Sequence, residues 1–213
     1  MLTFPSSRSI ASPKAELPWL VTIAASAGGI EALQVVLRDL PQDLPAAVVI
    51  VQHRPASDKK SYLRRILARV ARLPVVDAPD EQPIVPGTIY IARPDLHLTV
   101  SADKRFSYVD GTRIRFVYSS ANPLFETAAA AFGTKLIAVV LTGGGRDATD
   151  GVQAVRQHHG TVIVQDPQTA RHGSMPRSAL ETGAVDFVLP LEAIAAAVTA
   201  LVNNQPVAGA QLT

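Results

Sequence analysis

Three residues whose chemistry could combine lie far apart in the chain: Ser26 in "TIAASAGG", His53 at the end of "VVIVQH", and Asp147 in "LTGGGRDATDG". A serine hydroxyl is a poor nucleophile until a base takes its proton. An imidazole serves as that base when a carboxylate fixes its tautomer. Together the three are the set needed for nucleophilic acyl transfer. Ala27, Gly28 and Gly29 follow the serine. The glycines allow a sharp corner and close approach of a substrate, and a helix starting there would aim N–H groups at an oxyanion. Each residue alone also fits an ordinary role: Ser26 as a helix N-cap, His53 as a hydrogen-bonded strand end, Asp147 as a loop or cap residue. Where the fold places them has to decide.

The elements that must do the placing alternate along the chain. "WLVTIAA" is a β-branched apolar run, followed by Ile30, Leu33, Leu37 and Leu40 at helical spacing. "AAVVIVQH" is a second buried strand, "SDKKSYLRRILARVARL" an amphipathic helix with Ser57 as its N-cap, and "LPVVDA" a third strand. The short runs "GTIYIA", "LHLTV", "RFSYV" and "RIRFVY", with Asp110-Gly111 as a turn, predict an antiparallel hairpin insertion near residues 85 to 118. The alternation resumes with a helix from Asn122-Pro123, "LIAVVLT", a helix after Asp150, "TVIVQD", a helix after Met175-Pro176, "DFVLP" and the helix "EAIAAAVTALV". Continuous apolar strands separated by helices imply a doubly wound, mostly parallel α/β sheet covered on both faces. Residues 1–18 and 205–213 read as tails around one domain spanning 19–204. In such sheets ligands bind at the carboxyl ends of the strands, and Ser26, His53 and Asp147 all fall there.

Composition narrows the possibilities. Hydrophobic residues at 47% and charged residues at 18% describe a folded domain, and a formal charge of +2 is too small to suggest a nucleic-acid binder. There is no cysteine, which removes disulfides and thiolate chemistry and suits a reducing compartment. No apolar run reaches the roughly 18 residues of a membrane span, and the opening lacks a signal-peptide core, so a cytoplasmic protein without membrane insertion is expected. Neither a dinucleotide fingerprint nor a Walker loop is present, and the spacing of Asp147 and Asp150 matches no metal loop; no cofactor and no metal are expected. His158-His159 suits a helix end, where the dipole favours a cation.

Taken in order and spacing, "TIAASAGGIEAL", "VVIVQHR", "PGTIYIARPDLHL", "NPLFETAA", "VVLTGGGRDATDGVQAV", "VIVQDPQTARHGSMPRSAL" and "VDFVLPL" resemble the catalytic domain of the chemotaxis protein-glutamate methylesterases, the CheB family. The resemblance spans roughly residues 19–202. It implies a Ser-His-Asp triad matched by Ser26 in the "SxGG" turn, His53 after Val51-Gln52, and Asp147 in the "LTGMGxDG" loop. It also implies cleavage of γ-glutamyl methyl esters on receptor signalling helices with release of methanol, and deamidation of certain glutamines. Methylated chemotaxis receptors are the partners it implies. The "GSMPRSAL" segment is placed near the site by the same resemblance. Backbone N–H groups of Ala27 and Gly144, in a pocket also lined by Gly28, are the expected oxyanion donors.

Several positions depart from that pattern. Ala24 stands for a glycine, Gly144 for a methionine near the site, Asn122 for a helix-capping aspartate, and Ala148 for a glycine directly after the triad aspartate. If position 148 needs a positive φ, alanine strains the loop. Asn122 ahead of Pro123 is read as an equally good N-cap. The first 18 residues are too few for the receiver domain of the family's best-known members, so control through such a domain is not expected. Two other readings stay open: a weakly active module that binds signalling-protein helices, and a small-molecule carboxylesterase. Arg65, Arg69 and Arg72 fall on one stripe of the helix after His53, which is either a solvated face or a surface steering acidic receptor helices.

Overall fold

A computed structural model of the chain describes residues 19–55, 62–110, 119–207 and 211–212. Strands β1 (Trp19–Ala25), β2 (Ala46–Gln52), β3 (Val75–Asp77), β4 (Ile89–Ile91), β7 (Leu136–Val140), β8 (Thr161–Gln165), β9 (Phe187–Leu189) and β10 (Gln211–Leu212) form a sheet in the order β10-β9-β8-β7-β1-β2-β4-β3. All its pairings are parallel except that of β10 with β9. A separate antiparallel hairpin joins β5 (His97–Val100) to β6 (Phe106–Val109). Helices α1 (Gly29–Asp39), α2 (Tyr62–Leu67), α3 (Ala121–Phe132), α4 (Thr149–Gln157), α5 (Ser174–Leu180) and α6 (Ile194–Val202) cover the sheet.

The period of two along each strand explains why the strands read as unbroken apolar runs. Leu20 and Ala24 of β1, Val49 and Val51 of β2 and Val140 of β7 enter a core with α3, α4 and the hairpin residues Leu98, Val100 and Phe106. Their neighbours Val21, Ile23, Ala25, Val48, Ile50 and Val139 enter a second core with α1, α2 and α6. With both faces buried, alternation of apolar and polar residues has no place. The chain leaves β1 toward β2 on one side and returns through β7 on the other. The crevice at the carboxyl ends of β1, β2 and β7 is therefore the switch point of the sheet.

Four local expectations are corrected. "GTIYIA" is not part of the hairpin: β4 pairs in parallel with β2 and β3, and of the short runs in the insertion β5 and β6 form the antiparallel pair, while "RIRFVY" lies outside the described residues. The α3 cap is Ser120, whose hydroxyl accepts from the Asn122 N–H, and Asn122 sits inside the first turn with its side-chain Oδ1 accepting from the Gly151 N–H. Helix α2 ends at Leu67, so only Arg65 of the arginine stripe is helical; Ser57 lies outside the described residues. Arg72 precedes β3, at the end of the sheet opposite the site, because β3 runs parallel to β2. A stripe of three arginines leading to the site is not formed. Within the C-terminal stretch read as a tail, Gln211–Leu212 adds the edge strand β10.

Candidate active site

Ser26 follows β1, and its N–H donates to the Thr142 carbonyl at 3.0 Å, beyond the end of β7. The His53 N–H donates to the Ala25 carbonyl at 3.0 Å. These extensions of the sheet ladder hold the serine turn, the histidine and the loop after β7 side by side. Ser26 does not cap α1. Gly28 holds the cap position at φ +73° without a side-chain cap bond, and the Gly29 N–H closes the turn onto the Ser26 carbonyl at 2.8 Å. A Cβ on Gly29 would collide with Gln52 Oε1 and stand 2.8 Å from the Ala25 Cβ. A side chain there would break the turn.

His53 and Asp147 meet directly. His53 Nε2 lies 2.7 Å from Asp147 Oδ2, with the histidine side chain 10% and the carboxylate 3% exposed. The carboxylate has two further donors: Ser120 Oγ to Oδ1 at 2.5 Å and the Ala121 N–H to Oδ2 at 2.7 Å. Burial pushes the Asp147 carboxyl up, but the bonds from His53, Ala121 and Ser120 outweigh it and hold the group below the usual carboxylate range. An ionised, oriented carboxylate thus faces one ring nitrogen. Ser120 is fixed in turn, its N–H donating to Nδ1 of the buried His97 at 3.1 Å.

Ala148, next to Asp147, does adopt a positive φ, +74°, as the cap of α4. The strain anticipated for alanine is therefore present, of order 1–2 kcal/mol. It has not pulled the aspartate away from the histidine.

The backbone after Ser26 is set by carbonyls turned inward. Gln52 Nε2 donates to the Ser26 carbonyl at 2.8 Å and the His53 carbonyl at 3.0 Å, and Thr142 Oγ1 donates to the Ala27 carbonyl at 3.0 Å. In a trans peptide C=O and N–H point opposite ways. The N–H groups of Ala27 and Gly28 therefore point away from these supports, and neither they nor the Gly144 N–H donate to any described residue. Thr142 is itself held by Gln165 Oε1, which accepts its N–H at 2.9 Å, and its hydroxyl accepts the His172 N–H at 2.8 Å. Gly144 is exposed with open space around it. Met175 is fully buried, and its thioether flanks Gly143 beside Ser26. No group of three or more acidic or histidine side chains suited to a metal occurs among the described residues.

The three residues singled out by type are thus brought to one crevice. Ser120, Gln52, Thr142 and Gln165 were not singled out. Ser120 and Thr142 carry no sequence signal of their own. The two glutamines do carry one: each ends an apolar strand at a buried position.

The CheB methylesterase family model matches residues 21–198. The chain belongs to the CheB methylesterase family. A putative protein-glutamate methylesterase/protein-glutamine glutaminase of Leptospira interrogans is 40% identical over 175 residues, 82% of this chain and 90% of that protein. A protein-glutamate methylesterase/protein-glutamine glutaminase of Thermotoga maritima is 38% identical over 80% of this chain, which spans 50% of that longer relative. The crystal structure of the Thermotoga maritima CheB methylesterase catalytic domain superposes with a TM-score of 0.81 at 35% identity, covering 86% of this chain and 98% of that domain. The doubly wound sheet with its antiparallel hairpin is the fold of this family. No helix among the described residues is long and apolar enough to cross a membrane.

Proposed function

We propose that this CheB-family chain is a protein-glutamate methylesterase that hydrolyses γ-glutamyl methyl esters on methylated chemotaxis receptors or related signalling proteins. Deamidation of glutamine at the same site is its second activity. The observation that carries the reading is the buried 2.7 Å contact of His53 with Asp147 beside the Ser26 turn. Nε2 faces the carboxylate, which leaves Nδ1 to take the serine proton. Ser26 Oγ attacks the ester carbonyl carbon as its proton passes to His53, and Asp147 stabilises the imidazolium. The carbonyl oxygen becomes an oxyanion facing the Ala27 and Gly144 N–H groups. Collapse breaks the C–O bond, and the His53 proton leaves with methoxide as methanol. Water, deprotonated by His53, then cleaves the glutamyl-serine ester to glutamate and free Ser26. With glutamine as substrate the leaving group is ammonia.

Released methanol from a methylated receptor fragment tests this. Ser26→Ala and His53→Ala should each lower kcat by about 10³- to 10⁶-fold, because members of such a unit fail together, while the fold persists. Substantial methanol release by folded Ser26→Ala would remove the mechanism. Turnover of small esters without release from receptor would favour a small-molecule carboxylesterase.

A further inference from the structure

We infer that Gln52 is a positioning residue for the reaction, a single buried amide that sets both the nucleophile's turn and the base; this rests on the site reading above. Gln52 is 5% exposed and falls where the period of β2 calls for an apolar side chain, after Ala46, Val48 and Ile50 on the α1 face. Its amide spends both protons on the carbonyls of Ser26 and His53, at 2.8 and 3.0 Å. No other described side chain bonds to the backbone of both residues. Its Oε1 is buried without a hydrogen-bond partner, facing the start of α1 where Gly29 leaves room.

Leaving a carbonyl oxygen unpaired in the interior costs stability, and a methionine or leucine would fill the same space without that penalty. What the apolar side chain could not do is hold the Ser26 carbonyl inward. That carbonyl belongs to the same peptide unit as the Ala27 N–H, so the bond from Gln52, acting with the 2.8 Å bond from the Gly29 N–H across the turn, fixes the direction in which the oxyanion donor points. The second bond, to the His53 carbonyl, ties the base to the same amide. Gln52 touches neither substrate nor reacting atoms, and acts through Ala27, Ser26 and His53.

The discriminating variants are Gln52→Met and Gln52→Glu in the full chain, with thermal melting to establish folding. The buried glutamate, facing two carbonyl oxygens, takes up a proton and keeps one of the two bonds; methionine keeps none. Expected for Gln52→Met is a fall in kcat of about 10- to 100-fold with KM within about threefold, since a misdirected donor is felt mainly in the transition state. Gln52→Glu should retain more activity than Gln52→Met. A packing role predicts the reverse order, because a buried acid disturbs a core more than a thioether does.

The rate at which an alkyl fluorophosphonate labels Ser26 separates this proposal from the reading beneath it. No Ser26-dependent labelling or turnover by the wild-type chain would sink the active-site reading itself. Wild-type labelling matched within threefold by folded Gln52→Met would overturn the role of Gln52 alone. Failure of both variants to fold would assign Gln52 to the fold and would overturn it as well.

Discussion

Gly143→Ala is expected to disable the site out of proportion to its effect on stability. A Cβ at position 143 would lie 2.8 Å from the Ser26 Cβ and 2.9 Å from both Sδ and Cε of Met175. Optimal carbon–carbon separation starts near 3.5 Å, so the overlap with Ser26 is about 0.7 Å. The backbone cannot retreat freely, because the Gly143 N–H donates to the His172 carbonyl at 2.9 Å and its carbonyl accepts the Met175 N–H at 3.0 Å. Overpacking of this kind costs about 1–3 kcal/mol. Displacing the nucleophile by much of an ångström costs up to about 100-fold in rate. Urea denaturation and methanol release from methylated receptor fragment measure the two effects. Gly144→Ala is the control for stability, since nothing lies within 4 Å of its Cβ and neither glycine has a positive φ; its urea midpoint should match the wild type. Adding Met175→Ala to Gly143→Ala relieves the thioether overlap but not the contact with Ser26, so it should not restore kcat. A Gly143→Ala enzyme with wild-type kcat, or recovery of kcat in the double variant, would refute the reasoning.

Ser120→Ala removes both the cap of α3 and a donor to Asp147; it should destabilise by about 2–4 kcal/mol and lower kcat about tenfold, read from urea midpoints and initial rates. Asp147→Asn should lower kcat by about 10⁴-fold, by analogy with other serine hydrolase triads. Because the folded Asp147 carboxyl lies below its ordinary value of 3.8, its ionisation contributes stability above that pH, lost as pH falls through the lower folded value. The stability gap between wild type and Asp147→Asn should accordingly be flat above about pH 5 and shrink in more acid solution, a trend that urea titrations across pH would check. Ala148→Gly trades relief of about 1–2 kcal/mol of left-handed strain against a lost buried methyl of about 0.8 kcal/mol and a looser unfolded chain of about 0.4–1 kcal/mol. Its urea midpoint should correspond to within about 1 kcal/mol of wild type, whereas Ala148→Val, β-branched at a positive φ, should lose more than about 2 kcal/mol.

The doubly wound sheet was legible because burial on both faces leaves a plain mark, uninterrupted apolar strands at regular intervals. Where the reading went astray, the physics was less usual. The connection from β3 to β4, residues 78–88, contains no helix, yet the two strands are parallel neighbours. A parallel crossover is normally marked by a helical pattern, and without one "GTIYIA" looks the same as a hairpin strand. The helix after His53 was overextended because "LRRILARVARL" keeps its helical spacing past Leu67, while the structure tightens there into successive turns, Val70 to Leu67 and Arg69 to Ile66. Local periodicity reports which face is apolar, not where tertiary contacts stop the helix.

At the site, residue type and strand-end position point to Ser26, His53 and Asp147 as candidates, because a switch point leaves few places where a hydroxyl, an imidazole and a carboxylate can meet, and the family resemblance is what singles them out as a triad. The supports were hidden for the opposite reason. Ser120, Thr142, Gln52 and Gln165 bind backbone groups or carboxylates distant in sequence, and a polar side chain states its donors without naming its partners. Gln52 and Gln165 nonetheless share a readable trait: each occupies the last position of a strand whose every other residue is apolar or small, with the polar group buried. A buried amide has to be satisfied nearby, and beyond the end of a parallel strand the nearest unsatisfied groups belong to the loops that carry the chemistry. In an α/β sheet of this kind, a glutamine closing an apolar strand beside a candidate base is therefore a pointer to the backbone that the site depends on.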